Sequence, residues 1–80
     1  MKNNTVWIIE ETYFIGPVMD FSRVIGVYAT RDKALSVAVD KYVGAEWDKW
    51  VGENGQRYGF LELEYGRTYR IDIYKMEVES

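Results

Sequence analysis

The 80-residue sequence predicts an α+β fold, an antiparallel sheet with one main helix packed on one face, in the order β-β-α-β-β. Residues 59–73 alternate apolar and charged side chains around Tyr65-Gly66-Arg67, the pattern of a hairpin with one apolar and one charged face. Residues 23–29, Arg-Val-Ile-Gly-Val-Tyr-Ala, read as a strand leading into Thr30, a helix-capping residue. Beyond Arg31, Ala34, Leu35, Ala38 and Tyr42 recur at helical spacing. The length suits one domain, residues 1–80.

The elements follow in order. Residues 1–4 are polar and read as frayed. Thr5 to Glu10 is β-branched and aromatic, with Val6 and Ile8 on one face and Trp7 and Ile9 on the other. Glu11 to Ser22 contains Gly16-Pro17 and reads as a connection, with the first strand running on to Phe14. It also holds Tyr13, Phe14, Ile15, Met19 and Phe21, so it either folds back over the core or offers aromatic side chains to a partner. Gly26 weakens the second strand unless a close neighbour, such as a crossing helix, requires it.

Thr30 caps the helix and Asp32 complements its dipole. The spacing of Val43, Trp47 and Trp50 extends the helix from 31 to about 50, bent or interrupted at Gly44. The competing reading ends it at Gly44 and makes 47–53 a strand, turned by Gly52-Glu53-Asn54-Gly55, with Val51 facing Tyr58. In the last hairpin Glu64 pairs with Thr68, Leu63 with Tyr69, Leu61 with Ile71, and Glu62 with Arg70. After Ile73 the apolar phase moves to Tyr74, Met76 and Val78, which suggests a bulge or a change of partner. The expected core is Val6, Ile8, Ile25, Val27, Leu35, Ala38, Tyr42, Leu61, Leu63, Ile71 and Ile73.

The chemistry is defined mostly by what is missing. Without histidine or cysteine, the chain lacks the groups for Ser-His-Asp or Cys-His catalysis and for ordinary zinc sites. No phosphate-binding glycine loop or calcium loop is present, and no cofactor is implied. Carboxylates remain, but Glu62 with Arg70 reads as a solvated cross-strand pair rather than as catalytic machinery. Cysteine-free sequences of this size fit a reducing cytoplasm, and neither a signal peptide nor a membrane span is expected.

Net charge is −3, with four basic and five acidic groups in residues 1–40 and six and eight in residues 41–80. Arg57, Arg67 and Arg70 stand near Tyr58, Tyr65, Tyr69 and Tyr74, a combination that can stack bases. Glu62, Glu64, Asp72 and Glu77 lie among them and would repel phosphate, so direct nucleic-acid binding is disfavoured. Aromatic residues make up 16% of the chain, more than one helix and one sheet readily cover. The candidate partner-binding residues are Glu10, Glu11, Tyr13, Phe14, Asp20, Phe21, Trp47 and Trp50, aromatic anchors with carboxylates for a basic target.

The stretch Val24-Ile25-Gly26-Val27-Tyr28-Ala29-Thr30-Arg31-Asp32-Lys33-Ala34 resembles a strand–cap–helix pattern of small bacteriophage and prophage proteins. With Val6–Glu11 before it and Tyr69–Ile73 after it, the resemblance covers about half of the chain. No active site comes with it. Some such proteins inhibit host defence, as anti-CRISPR proteins do. The resemblance implies an origin more than an activity. The missing catalytic groups, the aromatic surplus and the acidic balance point to a non-enzymatic, phage-type steric inhibitor of a host defence complex in the bacterial cytoplasm. The alternatives are a self-assembling accessory protein, including a homodimer through a sheet edge, and a single-stranded nucleic-acid binder. A small-molecule pocket stays open, because tertiary contacts build pockets.

Overall fold

A computed structural model of the chain describes residues 3–51 and 55–79. Five antiparallel strands form one sheet: β1 (Asn3–Ile15), β2 (Val18–Tyr28), β3 (Glu46–Trp47), β4 (Arg57–Glu62) and β5 (Arg67–Glu79). Their spatial order is β2-β1-β5-β4-β3. One helix, α1 (Arg31–Lys41), packs on one side of β1, β2 and β5. The antiparallel α+β class agrees with the sequence. The element order does not, because β3 adds a strand and gives β-β-α-β-β-β.

β1 and β5 lie at the centre and pair along their whole length, from Asn3 opposite Glu79 to Ile15 opposite Arg67. β1 therefore begins at Asn3, within the stretch expected to fray. The long apolar connection expected at 11–22 is strand as well. A two-residue turn, Gly16-Pro17, joins Ile15 to Val18, with Gly16 at φ 60° and proline held at negative φ, as a type II′ turn requires.

The helix side of β1 is the one carrying Trp7, Ile9 and Glu11, not the Val6–Ile8 side expected as core. Ile9 faces Ile73 and Glu11 faces Ile71 across the ladder, and Ile9, Ala34, Ala38, Tyr42, Ile71 and Ile73 form the buried cluster. Ile8 is buried too, but on the opposite face between Val27 and Tyr74. Val27 and Leu63, both expected inside, are 57% and 37% exposed. The pairing of β2 with β1 skips Ile25 and Asp20, two bulges on an edge strand. The first lets Ile25 pack on the core while Val27 remains with Ile8 on the far face.

Thr30 caps α1 as expected, accepting a hydrogen bond from the Lys33 N–H at 3.1 Å. The helix stops at Lys41 rather than at residue 50, and Gly44 follows it at φ 90°. Glu46–Trp47 is strand, paired with Phe60 and Gly59, and Val51 bridges to Gln56 rather than Tyr58. Residues 52–54 of the expected turn lie outside the described residues.

The last hairpin keeps its predicted faces but slips by two residues. Leu61 faces Tyr69, Phe60 faces Arg70, and Glu62 faces Thr68 around a loop at Glu64–Gly66. Beyond Ile73 no bulge occurs. β4 ends there, and β5 continues against β1 alone with Tyr74, Met76 and Val78 on the face away from the helix.

Two glycines are explained by rings rather than by the helix. A Cβ added at Gly26 would come within 2.5 Å of the Tyr28 hydroxyl and 2.8 Å of its ring, and one added at Gly59 within 2.6 Å of the Trp47 ring. Gly59→Ala therefore forces Trp47 off its partner strand. It should lower stability by about 1–3 kcal/mol in urea denaturation, the usual range for an overpacked site.

Candidate functional site

Helix and sheet differ in length, and this difference creates the exposed surface. Eleven residues of α-helix rise about 16 Å, whereas thirteen residues of strand extend about 43 Å. The chain is accordingly elongated, 49 × 21 × 21 Å. α1 covers the sheet from the level of Trp7 to that of Glu11 and ends there at Tyr42.

That end is fastened by polar contacts. The Tyr42 hydroxyl donates to Glu11 Oε1 at 2.7 Å, and Arg23 Nε donates to Oε2 at 2.9 Å. Glu11 is only 2% exposed, so both oxygens of a buried carboxylate are engaged. Burial, and then the bond to Glu11, push the Tyr42 hydroxyl well above its ordinary value of 10.0. A run of rings continues outward from it. Tyr42 and Tyr69 have centroids 6.2 Å apart, Tyr69 and Tyr13 5.3 Å, and Tyr13 and Phe21 5.3 Å.

Past those rings α1 no longer covers the sheet. Ile15, Val18, Met19, Phe21, Leu63 and Tyr65 are all exposed at this outer end. The Gly16 N–H donates to the Gly66 carbonyl at 2.9 Å and ties the β1–β2 turn to the β4–β5 loop. Tyr65 stands in that loop at φ 63°, ψ 37°, the left-handed region, and is 88% exposed. A bulky residue is unfavourable there, and glycine or asparagine usually takes such a position.

The sheet face opposite α1 is uncovered by any described element. One part is apolar, with Val24, Val27, Met76 and Val78 exposed around Ile8. The middle is polar. Glu10 lies directly across from Asp72, the Tyr74 hydroxyl donates to Glu10 Oε1 at 3.1 Å, and Ser22 donates to Oε2 at 3.1 Å. Arg70 pairs with Asp72 at 3.2 Å and rests over the Tyr58 ring at 4.9 Å. Glu10, Gln56, Tyr58, Arg70, Asp72 and Tyr74 line an open depression of about 290 Å³. Burial holds the Asp72 carboxyl above its ordinary value; Arg70 opposes that rise and Glu10 adds to it. Among the described residues no cluster of three potential metal ligands occurs, and no helix is long and apolar enough to cross a membrane.

The eight candidate residues do not form one surface. Tyr13, Phe14, Asp20 and Phe21 belong to the outer end, and Glu10 to the uncovered face. Glu11 points inward. Trp47 and Trp50 are half-buried and packed on the core, Trp50 edge-on to Trp7 at 5.9 Å and beneath Arg31 and Arg57. Arg57, Arg67 and Arg70 do not line one strip either: Arg57 shares the helix side with Ile73, and Arg70 lies on the other face. The sequence reading placed Tyr65 in the last hairpin's loop and among the tyrosines that could stack bases, but not among the partner-binding candidates. Its only signal was a tyrosine beside a glycine in a predicted turn, and the register slip moved it to the strained position.

No protein-family model matches the chain, no curated protein matches it in sequence, and no solved structure matches it.

Replacing Tyr42 by phenylalanine removes one partner of a buried carboxylate and should lower stability by about 1–3 kcal/mol at pH 7. In the native chain, unfolded Tyr42 ionises near pH 10 while the folded hydroxyl retains its proton. Its contribution is complete below pH 10 and is lost as the pH rises further. Thermal melts should fall more steeply above pH 10 for the native chain than for Tyr42→Phe.

Proposed function

We propose that the chain is a non-enzymatic module that binds another protein through its outer end, the β1–β2 turn together with the β4–β5 loop. The observation that carries this reading is Tyr65. Its backbone conformation costs about 1–2 kcal/mol for a residue with a side chain, and its ring, 88% exposed, contributes little burial in return. Strained positions of this kind cluster where a side chain is presented to a partner. Ile15, Val18, Met19 and Phe21 add exposed apolar surface at the same end of the sheet, and tyrosine is among the residues that anchor protein interfaces.

The finer reading is a phage-type steric inhibitor of a bacterial defence complex, acting in the host cytoplasm. It draws on the resemblance of the Val24–Ala34 stretch and on the acidic balance, which suits the basic surfaces of nucleic-acid-handling targets. Self-assembly through the free edge of β2 is a weaker alternative, since the bulges at Ile25 and Asp20 interrupt the ladder another strand would follow.

Tyr65→Gly separates stability from binding. Relief of the left-handed strain should raise stability by about 1 kcal/mol, or roughly 4–8 °C in a domain this size. The same variant should retain less of any host protein that the native chain captures from nuclease-treated bacterial lysate. A variant that melts higher and still captures that protein in full would exclude Tyr65 as an anchor.

A further inference from the structure

We propose that the sheet face opposite α1 is a docking surface for a cationic segment of another protein. Val24, Val27 and Met76 would take its apolar side chains, and the Glu10–Asp72 pair an arginine or lysine. This surface is separate from the outer end, and the inference stands or falls independently of the function proposed for that end.

The case rests on charge and on what the fold leaves unmet. Glu46, Glu62, Glu10 and Asp72 share this face by register, and Arg70 is the one cation paired among them in the described residues. Like charges directly opposite each other in a sheet are destabilising, yet Glu10 and Asp72 occupy such a pair at its centre. Arg70 serves Asp72, whereas among the described residues Glu10 receives the neutral hydroxyls of Tyr74 and Ser22 and no cation. Burial is the main cause of the raised Asp72 carboxyl; Arg70 opposes that rise, and the facing Glu10 carboxylate adds to it. Arg70 over Tyr58 also shows that a guanidinium fits here, edge towards a carboxylate and face on a ring. The depression beside it is open and about 290 Å³ in volume.

The neighbouring apolar patch explains why the occupant is a protein segment rather than a small cation. Val24 is 54% exposed, Val27 57% and Met76 47%, contiguous by register with Ile8 and with the acidic centre. A second copy of this chain fits less well, because two such faces would bring carboxylates against carboxylates.

The test uses three synthetic amphipathic helical peptides with the same leucine face, flanked throughout by arginine, glutamine or glutamate. Each is titrated into the full ¹⁵N-labelled chain and followed by amide shifts. The arginine peptide should bind about tenfold tighter than the glutamine peptide, weaken with added salt, and shift amides at residues 22–27 and 70–78. The glutamate peptide should not bind. In the double variant Glu10→Gln, Asp72→Asn the arginine peptide should lose about that tenfold, while the glutamine peptide is unaffected and the melt confirms folding. Equal binding of the arginine and glutamine peptides, no binding by any peptide, or shifts confined to the outer end would overturn the proposal. So would a dimer in sedimentation whose contacts map to this face, since the occupant would then be a second copy.

Discussion

The full-length antiparallel pairing of β1 with β5 is the constraint on which the rest of the structure depends. It places Ile9 against Ile73 and Glu11 against Ile71, and so decides which face of an otherwise ambiguous strand receives the helix. β2 and β4 then add to its two sides, and β3 completes the second edge. A one-residue slip in this ladder would exchange the two faces: Ile9 would leave the core and Glu10 would enter it.

The mismatch between a short helix and two long strands follows from the same pairing. Where α1 ends, the buried core gives way to a bonded carboxylate, Glu11, held by Tyr42 and Arg23, and then to a chain of rings. Beyond the rings the strands stay paired across the ladder, with one bulge in β2 at Asp20, even though α1 no longer covers their side chains. Interior packing therefore stabilises one half of the molecule and hydrogen-bonded pairing the other. The exposed half is shaped without being committed to the core, an arrangement suited to contact with another molecule.

Much of the local structure was legible in the sequence. Thr30 announced the helix start because a hydroxyl before an apolar-periodic run has a specific use there. The parity of the last hairpin was legible too, because only an even shift keeps Leu61, Tyr69 and Ile71 on one face. The register itself was not, since a shift of two preserves that parity and leaves the turn to decide. The buried face of β1 was hidden because Val6, Trp7, Ile8 and Ile9 are apolar on both sides, and only partners remote in sequence choose between them. Trp47 and Trp50 have helical spacing from Val43, yet Trp47 belongs on a strand, where its ring covers Gly59. That close approach is a tertiary fact with no local trace. The outer end was half legible: Tyr13, Phe14, Asp20 and Phe21 drew attention by composition, whereas the strain at Tyr65 exists only once the register is fixed.

The β1–β5 ladder also has a mechanical consequence. Asn3 and Glu79 are paired neighbours at one end of the sheet, and the antiparallel strands lead from them towards the far tip. Tension applied between residues 3 and 79 would load that terminal rung first and peel the ladder apart one rung at a time, rather than shearing all of it together. A structure held by a continuous central pairing would then open at low force when pulled by its two ends. Pulled along the strand axis from the Gly16-Pro17 turn, with residue 79 held, it would load many rungs at once and resist far more.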